Sequence, residues 1–206
     1  MAGFARFYEP LLGGLLAGTR RSAWALCPPR PGMVVLDVGC GTGAFLAPYV
    51  AAGCRVVGVD SSAEMLGEAR RRLGGAALLL RGEAVALPVA SGAADLVVAM
   101  MLLHGLPAGE RPAALAEMAR VAGESGAVLV ADHRPGRPAG LKEWAARGLA
   151  RAVEAAARHG GGVASLLAAG GTRGPAAAAG LEVAASRTAG GGALEVLRLR
   201  QPGTVA

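Results

Sequence analysis

Aromatic residues are scarce in this chain: three Phe, two Tyr and two Trp make up 3% of 206 residues. Stacking platforms for nucleobases are therefore few, which weighs against a nucleic-acid partner despite a formal net charge of +6. Lysine is nearly missing too. Lys142 stands alone and arginine carries the rest of the positive charge, the habit of an Ala/Gly/Arg-rich chain. The densest cationic cluster, Arg70-Arg71-Arg72, falls where a helix should end, and cations there complement the helix macrodipole. Cysteine is limited to Cys27, Cys40 and Cys54 without CxxC spacing. No disulfide framework and no metal site are expected, and reduced thiols in a cytoplasmic protein are the simplest reading. Long apolar runs are also lacking: Leu96 to Leu103 falls far short of the roughly 18–20 residues of a membrane span. The start, MAGFARFYEP, has no basic stretch followed by an apolar one, so secretion is not expected.

What is present suits one domain with its own core, because a chain of this size buries roughly 70% of its unfolded surface without staples. Phe4, Phe7, Leu11, Leu12, Leu15 and Leu16 recur at three- and four-residue spacings and predict a helix over 2–25, ended by Pro28, Pro29 and Pro31. Buried strands are predicted at 33–38, 55–60, 77–81, 95–101 and 127–131. Helices are predicted between them: one after the first strand to about Ala52, one capped by Ser61 or Ser62 and running to Leu73, and one over 109–121. Alternating strands and helices mean a parallel sheet with helices on both faces. Residues 163–180 read as helix-prone, with Gly160-Gly-Gly162 and Gly170-Gly171 as breakers. Strands over 181–186 and 193–200, joined by Gly190-Gly-Gly192, predict an antiparallel hairpin. The fold expected is an α/β, Rossmann-like seven-stranded sheet, one hairpin strand lying antiparallel between its neighbours.

Between the first strand and its helix lies Gly39-Cys-Gly-Thr-Gly43, a loop whose glycines let the backbone turn sharply and approach a ligand. Gly39, Gly41 and Ala44 also satisfy the dinucleotide pattern G-x-G-x-x-[G/A], and Asp60 stands about twenty residues on, as a ribose ligand would. The loop alone does not choose. Asp37, two residues before Gly39, sets a negative charge where a pyrophosphate would pass, and suits an ammonium instead. Some thirty residues precede the first strand, Glu83 follows the third, and the closing hairpin is foreign to the doubly wound dinucleotide fold.

In its motifs the chain resembles the class I methyltransferases that use S-adenosylmethionine (SAM), above all the small-molecule and lipid type related to quinone- and phospholipid-methylating enzymes. The resemblance rests on Val35-Leu-Asp-Val-Gly-Cys-Gly-Thr-Gly43, Val57-Gly-Val-Asp-Ser61, Gly82-Glu-Ala-Val-Ala-Leu-Pro88, Ala94-Asp-Leu-Val-Val98 and Glu117-Met-Ala-Arg120, in the family's order across 33–132. It implies that Asp37 and the backbone of Gly39, Cys40, Gly41, Thr42 and Gly43 hold the methionine moiety. Asp60 would take both ribose hydroxyls, Ser61 and Met65 line the adenosine pocket, Glu83 and Ala84 meet the adenine, and Met100 sits beside the thioether. Glu83 departs from the family's usual aspartate. Tyr8, in Phe-Tyr-Glu-Pro, matches an N-terminal segment that closes over the cofactor, so residues 1–30 are expected to form a helical lid.

Methyl transfer from a sulfonium is an in-line displacement, and a general base is needed only if the nucleophile must lose a proton. His104 and His133 follow the fourth and fifth strands at the carboxyl edge, where open α/β sheets bind ligands. The resemblance favours His104 as base or substrate contact; His133 reads more simply as structural, and His159 lies in a glycine-rich stretch. No Asn-Pro-Pro-Tyr-type signature follows the fourth strand, which argues against an exocyclic base or amide acceptor. Residues 134–180, apolar with scattered arginines, stand where the family builds a substrate cap and suit a small hydrophobic or anionic acceptor. An RNA or protein methyltransferase, a non-catalytic SAM-binding domain and an NAD enzyme stay open as alternatives, as does a homodimer.

Overall fold

The computed structural model of the chain describes residues 17–203 apart from 139, 142, 146 and 149–159. Tyr8, most of the expected lid, and His159 lie outside the described residues. Seven strands form one sheet: β1 (Val34–Val38), β2 (Arg55–Asp60), β3 (Ala77–Arg81), β4 (Leu96–Met100), β5 (Ala127–His133), β6 (Glu182–Ala189) and β7 (Leu194–Arg200). Their spatial order is β3-β2-β1-β4-β5-β7-β6. The first five are parallel, and β7 runs antiparallel to both β5 and β6. The expected hairpin and its inserted antiparallel strand are both present.

Five helices are described: α1 (Ala47–Ala51), α2 (Ala63–Leu73), α3 (Arg111–Ala122), α4 (Gly160–Ala168) and α5 (Arg173–Ala178). Residues 17–26 are helical as well. No helix among the described residues is long and apolar enough to cross a membrane.

The central strands read as continuous apolar runs because both faces are covered. In β4, Val97 and Ala99 join one core with Leu115, Met118 and Leu166, while Leu96 and Val98 join the other with Tyr49, Phe45 and Leu66. The same two-residue alternation divides β5 and β7: Val128, Val130, Leu197 and Leu199 face one core, Leu129, Ala131, Leu194 and Val196 the other. Helices α3, α4 and α5 thus cover one face, and α1, α2 and residues 17–26 the other.

Among the boundaries that differ from expectation, three bear on the site. Positive φ at Gly41 and Gly43 keeps 41–46 in turns, so α1 starts only at Ala47, with Pro48 in its first turn where no N–H is needed. Gly160-Gly-Gly162 opens α4 instead of breaking the chain, for a packing reason given below. β5 continues to His133, because β7 extends the ladder through the pairs Asp132–Glu195 and His133–Leu194.

Candidate functional site

The carboxyl edge of the sheet divides at β4. On the β1–β2 side, Gly39 and Cys40 both donate to the Val59 carbonyl, at 2.8 and 3.1 Å, which ties the glycine loop to the end of β2. Gly39 has φ +70°, and a Cβ there would meet Leu102 Cδ1 at 2.7 Å. Gly41 has φ +52° with nothing within 4 Å of a Cβ, so backbone is exposed to a ligand there. Asp60 turns back into the loop: Oδ2 accepts from the Gly41 N–H at 2.8 Å and Oδ1 from the Ser62 N–H at 2.9 Å. Ser62 caps α2, accepting from the Met65 N–H at 3.3 Å, while Ser61 is exposed.

Asp37 is the unusual member. It is 1% exposed, and its Oδ1 is a buried oxygen with no hydrogen-bond partner. Burial, and then the like charge of Asp60, push its carboxyl well above the usual carboxylate range. A buried oxygen left without a donor is rare in folded proteins and marks a place for a ligand. Two carboxylates at one loop suit a ligand that brings a cation and hydroxyl donors, and they repel a pyrophosphate. Burial, followed by Asp37 and Asp60, raises the Cys40 thiol above its ordinary range, so Cys40 stays a thiol and offers only its backbone. Thr42 is held by Arg72, whose guanidinium donates to its hydroxyl at 2.7 Å and its carbonyl at 3.2 Å. Met65 and Met100 are half-buried, Ala84 is buried and Glu83 is exposed.

On the β4–β5 side the groups are buried and mutually satisfied. His104 sits in a 3-10 turn, Leu103–Gly105, after β4. Asp132, on β5, is fully buried and accepts from the His104 N–H through Oδ2 at 3.1 Å and from the His133 N–H through Oδ1 at 2.8 Å. Its Oδ1 also lies 2.9 Å from His104 Nδ1. Burial alone would raise the Asp132 carboxyl, but His104 first and His133 second bring it below its ordinary range. The two imidazoles meet edge-on, with centroids 5.2 Å apart. No metal site was expected, yet His104, Asp132 and His133 offer ligand-type atoms within 4.8 Å of one another.

Arg111 locks this turn from below. It is 1% exposed and donates through Nε to the Leu103 and Leu106 carbonyls, through Nη1 to Ser165 Oγ and through Nη2 to the Gly162 carbonyl. Gly162 therefore rests directly on the His104 turn; a Cβ there would overlap the His104 carbonyl oxygen. Met101, between β4 and the turn, has φ +61°, the one positive φ among described non-glycine residues. An open groove of about 590 Å³ is lined by Arg137, Pro138, Gly140, Leu141 and Trp144, residues apart from His104.

A family model described as a methyltransferase domain matches residues 35–126. A demethylmenaquinone methyltransferase of Parafrankia sp. is 33% identical over 183 residues, covering 75% of this chain and 69% of that protein. Among solved structures, a SAM-dependent methyltransferase from Aquifex aeolicus superposes with a TM-score of 0.66 at 18% identity, covering 95% of both chains. The O-methyltransferase of neocarzinostatin biosynthesis, solved with SAM and 2-hydroxy-5-methyl naphthoic acid, gives 0.66 at 22% identity, covering 96% of this chain and 56% of that one. The chain belongs to the class I SAM-dependent methyltransferases.

In this methyltransferase, the residues read from sequence as cofactor ligands gather along one edge, apart from Tyr8. Three functional candidates escaped that reading. Asp132 lies just past the predicted fifth strand with no role read for it, His133 reads as structural, and Arg111 stands unremarked within a predicted helix. Arg111 did leave a signal: it is the first residue of α3, where a cation opposes the helix dipole unless its side chain is engaged elsewhere.

Proposed function

We propose that this methyltransferase acts on a small molecule, a quinone-like ring or a lipid, with 1–206 as one domain, 134–180 as its cap and the cytoplasm as its compartment. Asp37 and the backbone of 39–43 would hold the methionine end of SAM, and Asp60 the ribose. Ser61, Met65, Glu83, Ala84 and Met100 would line the adenosine and thioether side, with Tyr8 closing over it. His104 would face the acceptor. When bound, SAM supplies a methyl group on a sulfonium; the protein aligns that methyl with the acceptor and keeps water out.

The observation that carries this reading is the buried, unpartnered Oδ1 of Asp37 beside a glycine loop that Asp60 closes. An ammonium there would give the orphan oxygen a charged donor, while each Asp60 oxygen keeps a second lone pair for a ribose hydroxyl. Calorimetric titration of the wild type with SAM and with NAD tests it. SAM should bind and NAD should not. Asp60→Ala should weaken SAM binding by roughly ten- to a hundredfold, the loss of charge-assisted hydrogen bonds worth about 1.5–3 kcal/mol. A wild type that binds NAD and ignores SAM would overturn the proposal.

A further inference from the structure

We propose that the face formed by Arg137, Pro138, Leu141 and Trp144 is a docking surface for an anionic lipid membrane. Residues 141, 143–145 and 147–148 are helical, and the Trp144 N–H donates to the Gly140 carbonyl at 2.9 Å. An ordinary surface helix turns its apolar stripe to the core and its charges to water. This one is reversed. Glu143 and Arg147, one turn apart, face inward. Glu143 is 6% exposed, and its Oε1 accepts from Arg147 at 2.6 and 3.1 Å and from Arg134 at 3.1 Å. Arg134 also donates to the Gly192 carbonyl in the β6–β7 turn, and Arg147 to the Gly136 carbonyl. A Cβ at Gly192 would meet Glu143 Oε2 at 2.8 Å, so glycine there makes room for the carboxylate. Ion pairs on its inner side therefore fasten the helix, and its apolar side is turned outward. Leu141 and Trp144, three residues apart, are 82% and 67% exposed, and Ala145 and Gly148 share their face.

Single exposed apolar side chains are ordinary, but these two are not scattered. Of the three large hydrophobic residues exposed among the described ones, Leu78 stands elsewhere, while Leu141 and Trp144 line one groove with Pro138 and Arg137. Charge decides the occupant. Residues 134–148 carry Arg134, Arg137, Lys142 and Arg147 against Glu143 alone. A second copy docking through a two-fold contact would set this positive patch against itself. Nucleobases need stacking platforms, and Trp144 is the only aromatic residue of 134–148. Anionic headgroups complement the cations, and the boundary below them takes the Leu141 side chain and the indole of Trp144. A helix used in this way lies on a membrane and does not span it. The proposal goes beyond the reading of the cofactor site and does not depend on it, since docking needs neither SAM nor an acceptor.

The test is flotation of the full chain with vesicles of phosphatidylcholine, alone or mixed equally with phosphatidylglycerol. The protein should float with the mixed vesicles, stay behind with phosphatidylcholine alone, and be released as salt is raised. Trp144→Asp should weaken binding about tenfold or more and Arg137→Gln about fivefold. Both sites are exposed, so the urea midpoint and SAM affinity should match the wild type. Trp144→Phe should still float, yet lose the blue shift of tryptophan emission that the wild type shows on the vesicles. Equal binding to both vesicle types, undiminished binding by Trp144→Asp, or a blue shift that survives in Trp144→Phe would overturn the proposal. So would a dimer, or retention on single-stranded RNA, that Trp144→Asp abolishes in a protein that ignores vesicles. A wild type that floats but binds no SAM would sink the functional reading and leave the docking surface standing.

Discussion

The two halves of the carboxyl edge solve opposite problems. Around the glycine loop, Asp37 is buried with an unpartnered oxygen and a like charge nearby, so the protein by itself is electrostatically incomplete. Around β4 and β5, Asp132 accepts from two backbone N–H groups and one imidazole, and Arg111 donates to three carbonyls and a hydroxyl. The first half waits for charge that a ligand brings. The second is complete, so it holds the His104 ring and its turn in one place. The contrast teaches that a buried polar group left unpaired marks where a ligand must sit, whereas a saturated network marks where geometry must not move.

The largest effect is expected at the saturated half. Arg111→Met removes all four bonds and strands buried carbonyls, and should destabilise the fold by about 3–5 kcal/mol. Urea unfolding would show it as a lower midpoint, and a change under about 1 kcal/mol would mean the network is not structural. At the incomplete half, Asp37→Asn should do the reverse to the free protein. Because the folded carboxyl is raised, stability is greatest at low pH, where Asp37 is protonated, and declines as pH climbs through the raised value. The variant should lack that decline and be more stable than the wild type at pH 8, while binding SAM some tenfold or more weakly. Equal loss of stability and affinity would erase the distinction between the halves. Below Arg111→Met in its cost to the fold comes Gly162→Ala, where the new methyl must push α4 off the His104 turn, at about 1–3 kcal/mol. It should lower acceptor turnover and leave SAM affinity alone; a change in SAM affinity would show that the halves are coupled.

The same division decided what could be read from sequence. The glycine loop, Asp37 and Asp60 are local: each stands at a strand end, within about two dozen residues, and its neighbours state its geometry. Five parallel strands and the hairpin were legible because apolar runs and the triglycine turn are strong patterns. The Asp132–His104 contact spans 28 residues and the Arg111–Ser165 bond spans 54, so nothing near either residue announces its partner. Gly160-Gly-Gly162 looked like a helix breaker because propensity disfavours glycine in helices. At Gly162 packing overrides that preference, since only glycine there lets α4 lie on the His104 carbonyl.

The antiparallel insertion of β7 has a bearing on how the molecule comes together. β1 to β5 lie within residues 34–133, so all five parallel strands leave the ribosome before β7 is made. Asp132 and His133, however, are paired on their outer side with Glu195 and Leu194, which emerge some sixty residues later. Until then β5 is a bare sheet edge, open to the wrong partner. β7, once made, seals that edge and fixes the end of β5 on which Asp132 and His133 stand.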